Sequence, residues 1–269
     1  MVDEFKRSLA KVLVHEGGKV DDKNDPGGRT NQGVIQRTYD AWRRRKGLKT
    51  RDVWLMTNDE RDAIYREQYW DLIKGDLLAP GVSYVVFDGA VNSGVKQSVI
   101  WLQRALGVNA DGIVGNQTID ALNNHPDHDK LIADILRRRM AFLQALKTWK
   151  FYKNGWTSRV NGVRAVGQAW AMGSVGPEVV FVPNGNKRAL LTDAKQAPST
   201  APADASTGAG GISVVLSQAT EQLTPLSNID FIAKAVAVLT IAGVMVTVGG
   251  IGYRLWAKRR AAQLKEALS

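Results

Sequence analysis

Glu16 is the side chain whose position in the sequence best suits it to chemistry. It follows Val12 by four residues and Leu13 by three, so it extends the apolar face of a predicted first helix by one turn. Gly17 and Gly18 then supply the left-handed conformation that ends a helix. The helix dipole and desolvation both oppose a charge on a buried carboxyl group at this end of a helix. We therefore expect Glu16 to be an acid that can donate a proton near neutral pH.

Asp25 is the second carboxylate of interest, nine residues after Glu16 in the segment D-P-G-G-R-T at 25–30. Taken alone, an aspartate in such a turn can simply accept hydrogen bonds from backbone amides. Together with Glu16, Asp25 suggests a catalytic pair, because cleavage of a glycosidic bond uses one carboxyl group kept protonated and one kept ionised.

The remaining composition leaves few other kinds of chemistry. The chain of 269 residues has no Cys, which excludes a disulfide scaffold, a Cys-ligated metal site and a thiol nucleophile. Its three histidines, His15, His125 and His128, are few for a metal site or a Ser-His-Asp triad. His15 neighbours the acid, but adjacent helix residues point about 100° apart, so we expect it at the surface or at the helix cap. We predict no metal and no cofactor.

The residues around these carboxylates resemble a known family. E-G-G at 16–18 and D-P-G-G-R-T-N-Q-G-V at 25–34 are similar to the signature of glycoside hydrolase family 108, the N-acetylmuramidases found as bacteriophage endolysins and as bacterial secretion-activating muramidases. The resemblance covers residues 1 to about 172, and it continues through further blocks at 87–94, 102–108, 111–118, 139–151 and 155–160, the last two similar to a peptidoglycan-binding module.

This resemblance implies a lysozyme-like helical fold and hydrolysis of the β-1,4 bond between N-acetylmuramic acid and N-acetylglucosamine in peptidoglycan. Glu16 would be the general acid, Asp25 would stabilise positive charge or activate water, and the Thr30 hydroxyl would hold that water. Carboxyl groups about 6.5 to 9.5 Å apart predict inversion, and about 5 Å predicts retention. Lys19 and Lys23 replace the aromatic residue and the proline that the family commonly has in this loop.

Four further residues are candidates for substrate binding. Tyr69 and Trp70 could stack on sugar rings, or they could be a pair in the core. Asn92 could hydrogen-bond an acetamido group, or it could mark a helix bend near a glycine. Trp156 could contact the glycan, although most tryptophans of a helical domain are packing residues.

Helical periodicity predicts the elements that must position these residues, and the fold class is mainly α. Residues 1–95 are predicted to form a lysozyme-like catalytic domain with a turn-rich or hairpin insert at 17–33, and residues 96–180 a helical peptidoglycan-binding module. Apolar patterns or caps indicate helices around 5–13, 57–70, 82–106, 131–146 and 160–170.

The C-terminal part has a different composition. Residues 181–211 predict a flexible linker, 212–230 an amphipathic helix and 255–269 a basic tail. The 19 uncharged residues before Arg254 predict a transmembrane helix at 231–254, although a buried helix of a soluble domain is the alternative. We therefore expect a single-pass protein of the bacterial inner membrane that acts on periplasmic peptidoglycan. A phage holin is a further candidate partner, and the orientation and export route stay open, since no signal peptide begins the chain.

Three competing functions remain at this stage. A lytic transglycosylase also uses one buried Glu, but it needs no second carboxylate. An inactive membrane-tethered wall-binding or holin-like factor would use the same fold without hydrolysis. DNA binding is suggested by a net charge of +10 and by the basic runs at 43–46 and 137–139, but these runs fit solvated helix faces better, so we expect no nucleic-acid partner.

Overall fold

The computed structural model describes residues 3–20, 29–207, 218, 219, 221, 222 and 230–269. Asp25 and most of the predicted amphipathic helix at 212–230 therefore lie outside the described residues. The chain divides into two compact units, one up to Ala194 and one from Lys195 to Ser269.

The first unit is mainly helical, which confirms the predicted fold class for this part of the chain. Short 3-10 turns lie at Val53–Leu55, Gly75–Leu77 and Leu191–Asp193, and a π-helical turn covers Arg66–Trp70. Its α-helices are α1 (Glu4–Glu16), α2 (Gln36–Arg45), α3 (Asn58–Tyr65), α4 (Val82–Ser93), α5 (Val95–Leu106), α6 (Asn116–Asn123), α7 (His128–Ala145) and α8 (Trp149–Ala171).

Helix α1 ends where the sequence predicts. The side chain of Asp3 caps its start by accepting a hydrogen bond of 3.0 Å from the Lys6 amide. The helix ends at Glu16 because Gly17 takes a φ of 74°, a conformation that side-chain-bearing residues rarely adopt. Thr57 and Glu60 likewise form the predicted capping box of α3.

The predicted insert after α1 contains a small antiparallel sheet in the order β1 (Lys19–Val20), β2 (Thr30–Asn31) and β3 (Val34–Ile35). Lys19 lies opposite Asn31, and Thr30 opposite Ile35. The sheet follows α1 directly, so it stands beside the end of the helix that carries Glu16.

Helix α4 is the centre of the unit, since all twelve of its residues are buried. It packs against α1, α5, α7 and α8, which come from both predicted domains. Gly94, with a φ of 95°, separates α4 from α5, whereas the helix runs straight through Gly89. A Cβ atom at Gly89 would lie 2.5 Å from Oγ of Ser98, so a glycine there allows α5 to approach closely.

The first half of the predicted linker differs from the expectation. Ala189 donates its amide to the carbonyl of Asn92 at 3.1 Å, and Lys147 donates its amide to Asp193 at 2.8 Å. Residues 183–190, which we call the strap, therefore pack onto the helices of the first unit. Backbone hydrogen bonds, rather than large apolar side chains, attach the segment, and composition does not reveal such bonds.

In the second unit the structure describes α9 (Ala201–Thr207) and α10 (Asp230–Leu268). Asp204 and Arg254 form an ion pair of 3.4 Å between these two helices. The basic segment predicted as a tail at 255–269 is mostly a continuation of α10.

None of the helices in the described residues is long and apolar enough to cross a membrane. This finding corrects the predicted transmembrane helix at 231–254 and the predicted single-pass location in the inner membrane. The prediction rested on an absence of charge, yet that uncharged run contains four glycines and two threonines, which add little apolar surface. The expected membrane and holin partners are not supported either.

Candidate active site

Glu16 lies in a cleft of about 490 Å³ in the first unit, at the end of α1. The residue is only 7% exposed, so its carboxyl group is buried at the cleft rather than open to bulk solvent. The cleft is lined by Glu16, Thr30, Gly33, Val34, Ile35, Thr38, Ile64, Tyr65, Gln68, Tyr69, Asn186, Lys187, Arg188 and Leu190.

The carboxyl group of Glu16 has a buried cationic partner. Nη1 of Arg159, on α8, lies 3.0 Å from Oε1 of Glu16, and the Arg159 side chain is fully buried. Arg159 also donates from Nε to Oδ2 of Asp88 on α4, at 3.0 Å. Sequence reasoning missed this pairing, because nothing local to Arg159 indicates that an arginine on a helix will be buried against a residue 143 positions away.

Asp88 joins this cluster to a second arginine. Nη1 of Arg139 donates to Oδ1 of Asp88 at 2.7 Å, and both side chains are buried. Burial alone would raise the pKa of Asp88, but Arg159 and Arg139 together hold it well below its usual value. Asp88 is therefore ionised at neutral pH and fixes the guanidinium group that contacts Glu16.

His15 is buried beside this cluster, at 1% exposure, so the expectation that it lies at the surface or at a cap is wrong. Burial lowers its pKa to about 4, with Asp88 acting in the opposite direction and the two arginines adding to the decrease. The ring is therefore neutral at pH 7. Neither ring nitrogen has a hydrogen-bond partner among the described residues.

The sheet covers Glu16 from the other side. Gly33 has a φ of 78°, and a Cβ atom added there would lie 2.9 Å from Oε2 of Glu16. The hydroxyl of Tyr65 donates to the carbonyl of Gln32 at 2.9 Å, which holds the same turn in place. Thr30, in β2, also lines the cleft. The structure thus brings Glu16 and Thr30 to one cleft.

The two aromatic candidates, Tyr69 and Trp70, lie in different environments. Tyr69 lines the cleft. Trp70 is fully buried and packs edge-on against Phe5 and Phe87, with ring centroids 5.5 and 5.4 Å away. Its indole nitrogen donates to Asp76 at 2.8 Å. Tyr69 thus keeps a position from which it can contact a sugar, whereas Trp70 is a core residue.

Asn92 and Trp156 do not line the cleft, although we considered both for glycan contact. Each is 1% exposed, and each donates a hydrogen bond to the carbonyl oxygen of Lys187, at 2.9 Å from Asn92 and 2.8 Å from Trp156. Both side chains therefore hold the strap rather than reach a substrate.

Comparison with known proteins identifies the family. The glycosyl hydrolase 108 family model matches residues 9–94, a predicted peptidoglycan domain matches 97–161, and a putative peptidoglycan binding domain matches 70–122. The solved structure of Brucella abortus SagA is 37% identical, with a TM-score of 0.55, and the match covers 62% of this chain and 95% of that one. The chain belongs to the glycosyl hydrolase 108 family. A comparison with curated protein sequences finds no significant match.

This glycosyl hydrolase 108 protein is therefore a glycoside hydrolase that acts on peptidoglycan. Its candidate acid, Glu16, lies in the segment that matches the hydrolase family, whereas Arg159 lies in the segment that matches the peptidoglycan domain. Residues of the second segment thus complete the surroundings of the acid in the first.

The cleft of the glycosyl hydrolase has one wall that sequence reasoning missed. Asn186, Lys187, Arg188 and Leu190 come from the strap, which lies beyond all three family matches. Nη2 of Arg188 donates to the hydroxyl of Tyr69 at 3.0 Å. No motif marks these residues, since they fall in a segment whose composition suggests a linker.

The described residues contain no group of three or more His, Asp or Glu side chains that could hold a metal ion. His125 and His128 stack with ring centroids 6.3 Å apart near the start of α7, and neither lines the cleft.

Proposed function

We propose that this glycosyl hydrolase 108 protein cleaves the β-1,4 bond between N-acetylmuramic acid and N-acetylglucosamine, with Glu16 as the general acid. The observation that supports this proposal is the place of Glu16 in the cleft. Among the described residues that line the cleft, it alone carries a carboxyl group. General-acid catalysis needs such a group within reach of the oxygen that leaves the sugar.

The two oxygens of Glu16 have different surroundings. Oε1 accepts a hydrogen bond from Arg159, which fixes the orientation of the carboxyl group. Oε2 lies on the side of Gly33 and the sheet, which form the cleft wall. A proton carried on Oε2 passes to the glycosidic oxygen, and the departing sugar leaves positive charge on the ring that remains.

Asp25 and Thr30 complete the proposed machinery. Asp25 belongs to the segment between β1 and β2, and Thr30 begins β2 beside Glu16 in the cleft. Asp25 acts as the ionised carboxylate that stabilises the positive charge or activates the attacking water, and the Thr30 hydroxyl holds that water.

Mass spectrometry of digested peptidoglycan tests the proposal. Hydrolysis by a muramidase gives products that end in reducing N-acetylmuramic acid. A lytic transglycosylase would instead give anhydro sugars lighter by one water, and a glucosaminidase would give reducing N-acetylglucosamine. Either of those two products, absent from a digest with a Glu16→Gln control, would contradict the proposed reaction.

A further inference from the structure

The strap, from the C-terminal end of the first unit, forms one wall of the cleft. Residues of the strap have two different environments. Gly185 and Ala189 are buried against the helices, whereas Asn186, Lys187, Arg188 and Leu190 line the cleft.

Buried polar groups anchor the strap along its backbone. Asn92 and Trp156 both donate to the carbonyl of Lys187, and Arg159 donates to the carbonyl of Gly185 at 3.1 Å. The amide of Ala189 donates to the backbone carbonyl of Asn92 at 3.1 Å. Four hydrogen bonds between the strap backbone and buried groups of the helices fix three strap residues, so the cleft wall has a defined position.

The strap also needs the absence of a side chain on α8. A Cβ atom at Gly155 would lie 2.5 Å from the carbonyl oxygen of Pro183 and 2.7 Å from backbone atoms of Asn184 and Gly185. The strap backbone therefore lies directly on Gly155, and any side chain there must displace it.

The anchored strap presents two positive charges to the cleft, Arg188 and Lys187, and both residues are exposed. The guanidinium of Arg188 lies 5.8 Å from the ring centroid of Tyr69 and donates to its hydroxyl. Neither cation has a carboxylate within ion-pair distance among the described residues. A guanidinium group oriented in this way can form paired hydrogen bonds with a carboxylate.

We propose that the strap is a specificity element in which Arg188 binds a carboxylate group of the peptidoglycan strand in the cleft. This inference rests on the proposed function, because it assumes that the cleft with Glu16 is where the strand binds. The carboxylate can belong to a stem peptide or to the lactyl group of a muramic acid that carries no peptide. Asn92, Trp156 and Gly155 are then positioning residues, which act through the strap.

A binding experiment in a Glu16→Gln background tests the proposal without any need for hydrolysis. Intact peptidoglycan fragments carry stem-peptide carboxylates, and strands stripped of peptides by an amidase carry lactyl carboxylates. Each ligand is compared with a copy whose carboxylates have been converted to amides. We expect Arg188→Gln to weaken binding about tenfold to at least one carboxylate-bearing ligand, and to leave binding of its amidated copy unchanged.

The ligand that shows this difference identifies the source of the carboxylate. Arg164→Gln, on the exposed side of α8 and away from the cleft, removes the same charge and should change no affinity. Equal effects of Arg188→Gln on native and amidated ligands, or equal effects of the two arginine variants, would overturn the proposal.

A pair of glycine variants tests the positioning role. Gly155→Ala displaces the strap, whereas Gly162→Ala on the same helix meets no atom within 4 Å. We expect Gly155→Ala to lose the preference for carboxylate-bearing ligands while its thermal unfolding stays cooperative, and Gly162→Ala to keep it. A Gly155→Ala protein that is folded and keeps the preference would contradict the role of the strap. Carboxylate-dependent binding without muramidase products would contradict the proposed function but not this inference.

Discussion

Nη1 of Arg159 lies 3.0 Å from Oε1 of Glu16, although the two residues are 143 positions apart in the chain. Both side chains are buried, and Asp88 binds the same guanidinium from the other side. This contact links the candidate acid to α8, the last long helix of the first unit. The segment that matches a peptidoglycan domain therefore supports the active site as well as any wall binding.

Replacing Arg159 with Gln is expected to affect both stability and catalysis. Removing one member of a buried ion cluster leaves the other charges uncompensated, which typically costs about 3 to 5 kcal/mol in the free energy of unfolding. We also expect kcat to fall, because Glu16 loses its orienting partner. Urea unfolding and initial rates measure the two effects. Arg164→Gln on the same helix is the control, and two arginine variants that behave alike would refute the role of Arg159.

The stability of the protein should depend on pH through His15. Its pKa is lowered to about 4 in the folded state from 6.5, so between these values the unfolded state binds a proton that the folded state does not. Stability is thus fully present above about pH 6.5 and declines as the pH falls toward about 4. The expected slope is up to about 1.4 kcal/mol per pH unit from this group.

His15→Gln should remove that slope. Asp88 titrates in a separate, more acidic window, because its pKa is held below 3.8, and its contribution is lost only as the pH falls below that value. Urea unfolding of both proteins from pH 7 to pH 4 measures the difference. Identical pH dependence of the variant and the parent protein would show that His15 is not buried in its neutral form.

Gly33→Ala is expected to reduce both catalysis and stability. The positive φ makes any side chain there unfavourable by roughly 1 to 2 kcal/mol, and the new Cβ would press on Glu16. Gly47→Ala is the matched control, since it has a similar φ of 71° but no atom within 4 Å. We expect Gly33→Ala to lose more stability than Gly47→Ala, because its Cβ would lie even closer to the Tyr65 hydroxyl than to Glu16, and only Gly33→Ala to lose kcat, about tenfold or more. Equal rates in the two variants would argue against a close contact between the turn and Glu16.

Tyr69 and Trp70 should respond differently to replacement with Ala. Tyr69→Ala removes a cleft residue, so we expect a higher KM with little change in the free energy of unfolding. Trp70→Ala removes a fully buried ring and should cost about 3 to 5 kcal/mol, while the remaining folded protein keeps its KM. Michaelis curves and urea unfolding separate the two outcomes. A raised KM for folded Trp70→Ala would place its ring at the substrate.

Local patterns in the sequence predicted the elements that local physics determines. The burial of Glu16 follows from helical spacing, the end of α1 follows from Gly17, and the capping box of α3 follows from Thr57 and Glu60. The family resemblance, and not local physics, suggested that Glu16 and Thr30 share a site, and the structure brings both to one cleft.

The parts that sequence reasoning missed depend on contacts between distant residues. Arg159 reaches Glu16, and Trp156 reaches Lys187, only after the helices have packed. The strap has the composition of a linker, so its attachment through backbone groups leaves no apolar pattern to read. His15 was misplaced because it was compared only with its neighbour Glu16, whereas it follows Val12 by three residues and shares the buried face of α1 with Ser8 and Val12.

The most direct test of Glu16 as the general acid is the rate at which a Glu16→Gln variant cleaves purified peptidoglycan, measured as reducing ends released. Loss of general-acid catalysis predicts a rate about 10² to 10⁴-fold below that of the parent protein, with a far-UV circular dichroism spectrum that is unchanged. A folded Glu16→Gln protein that cleaves at close to the parent rate would contradict the account.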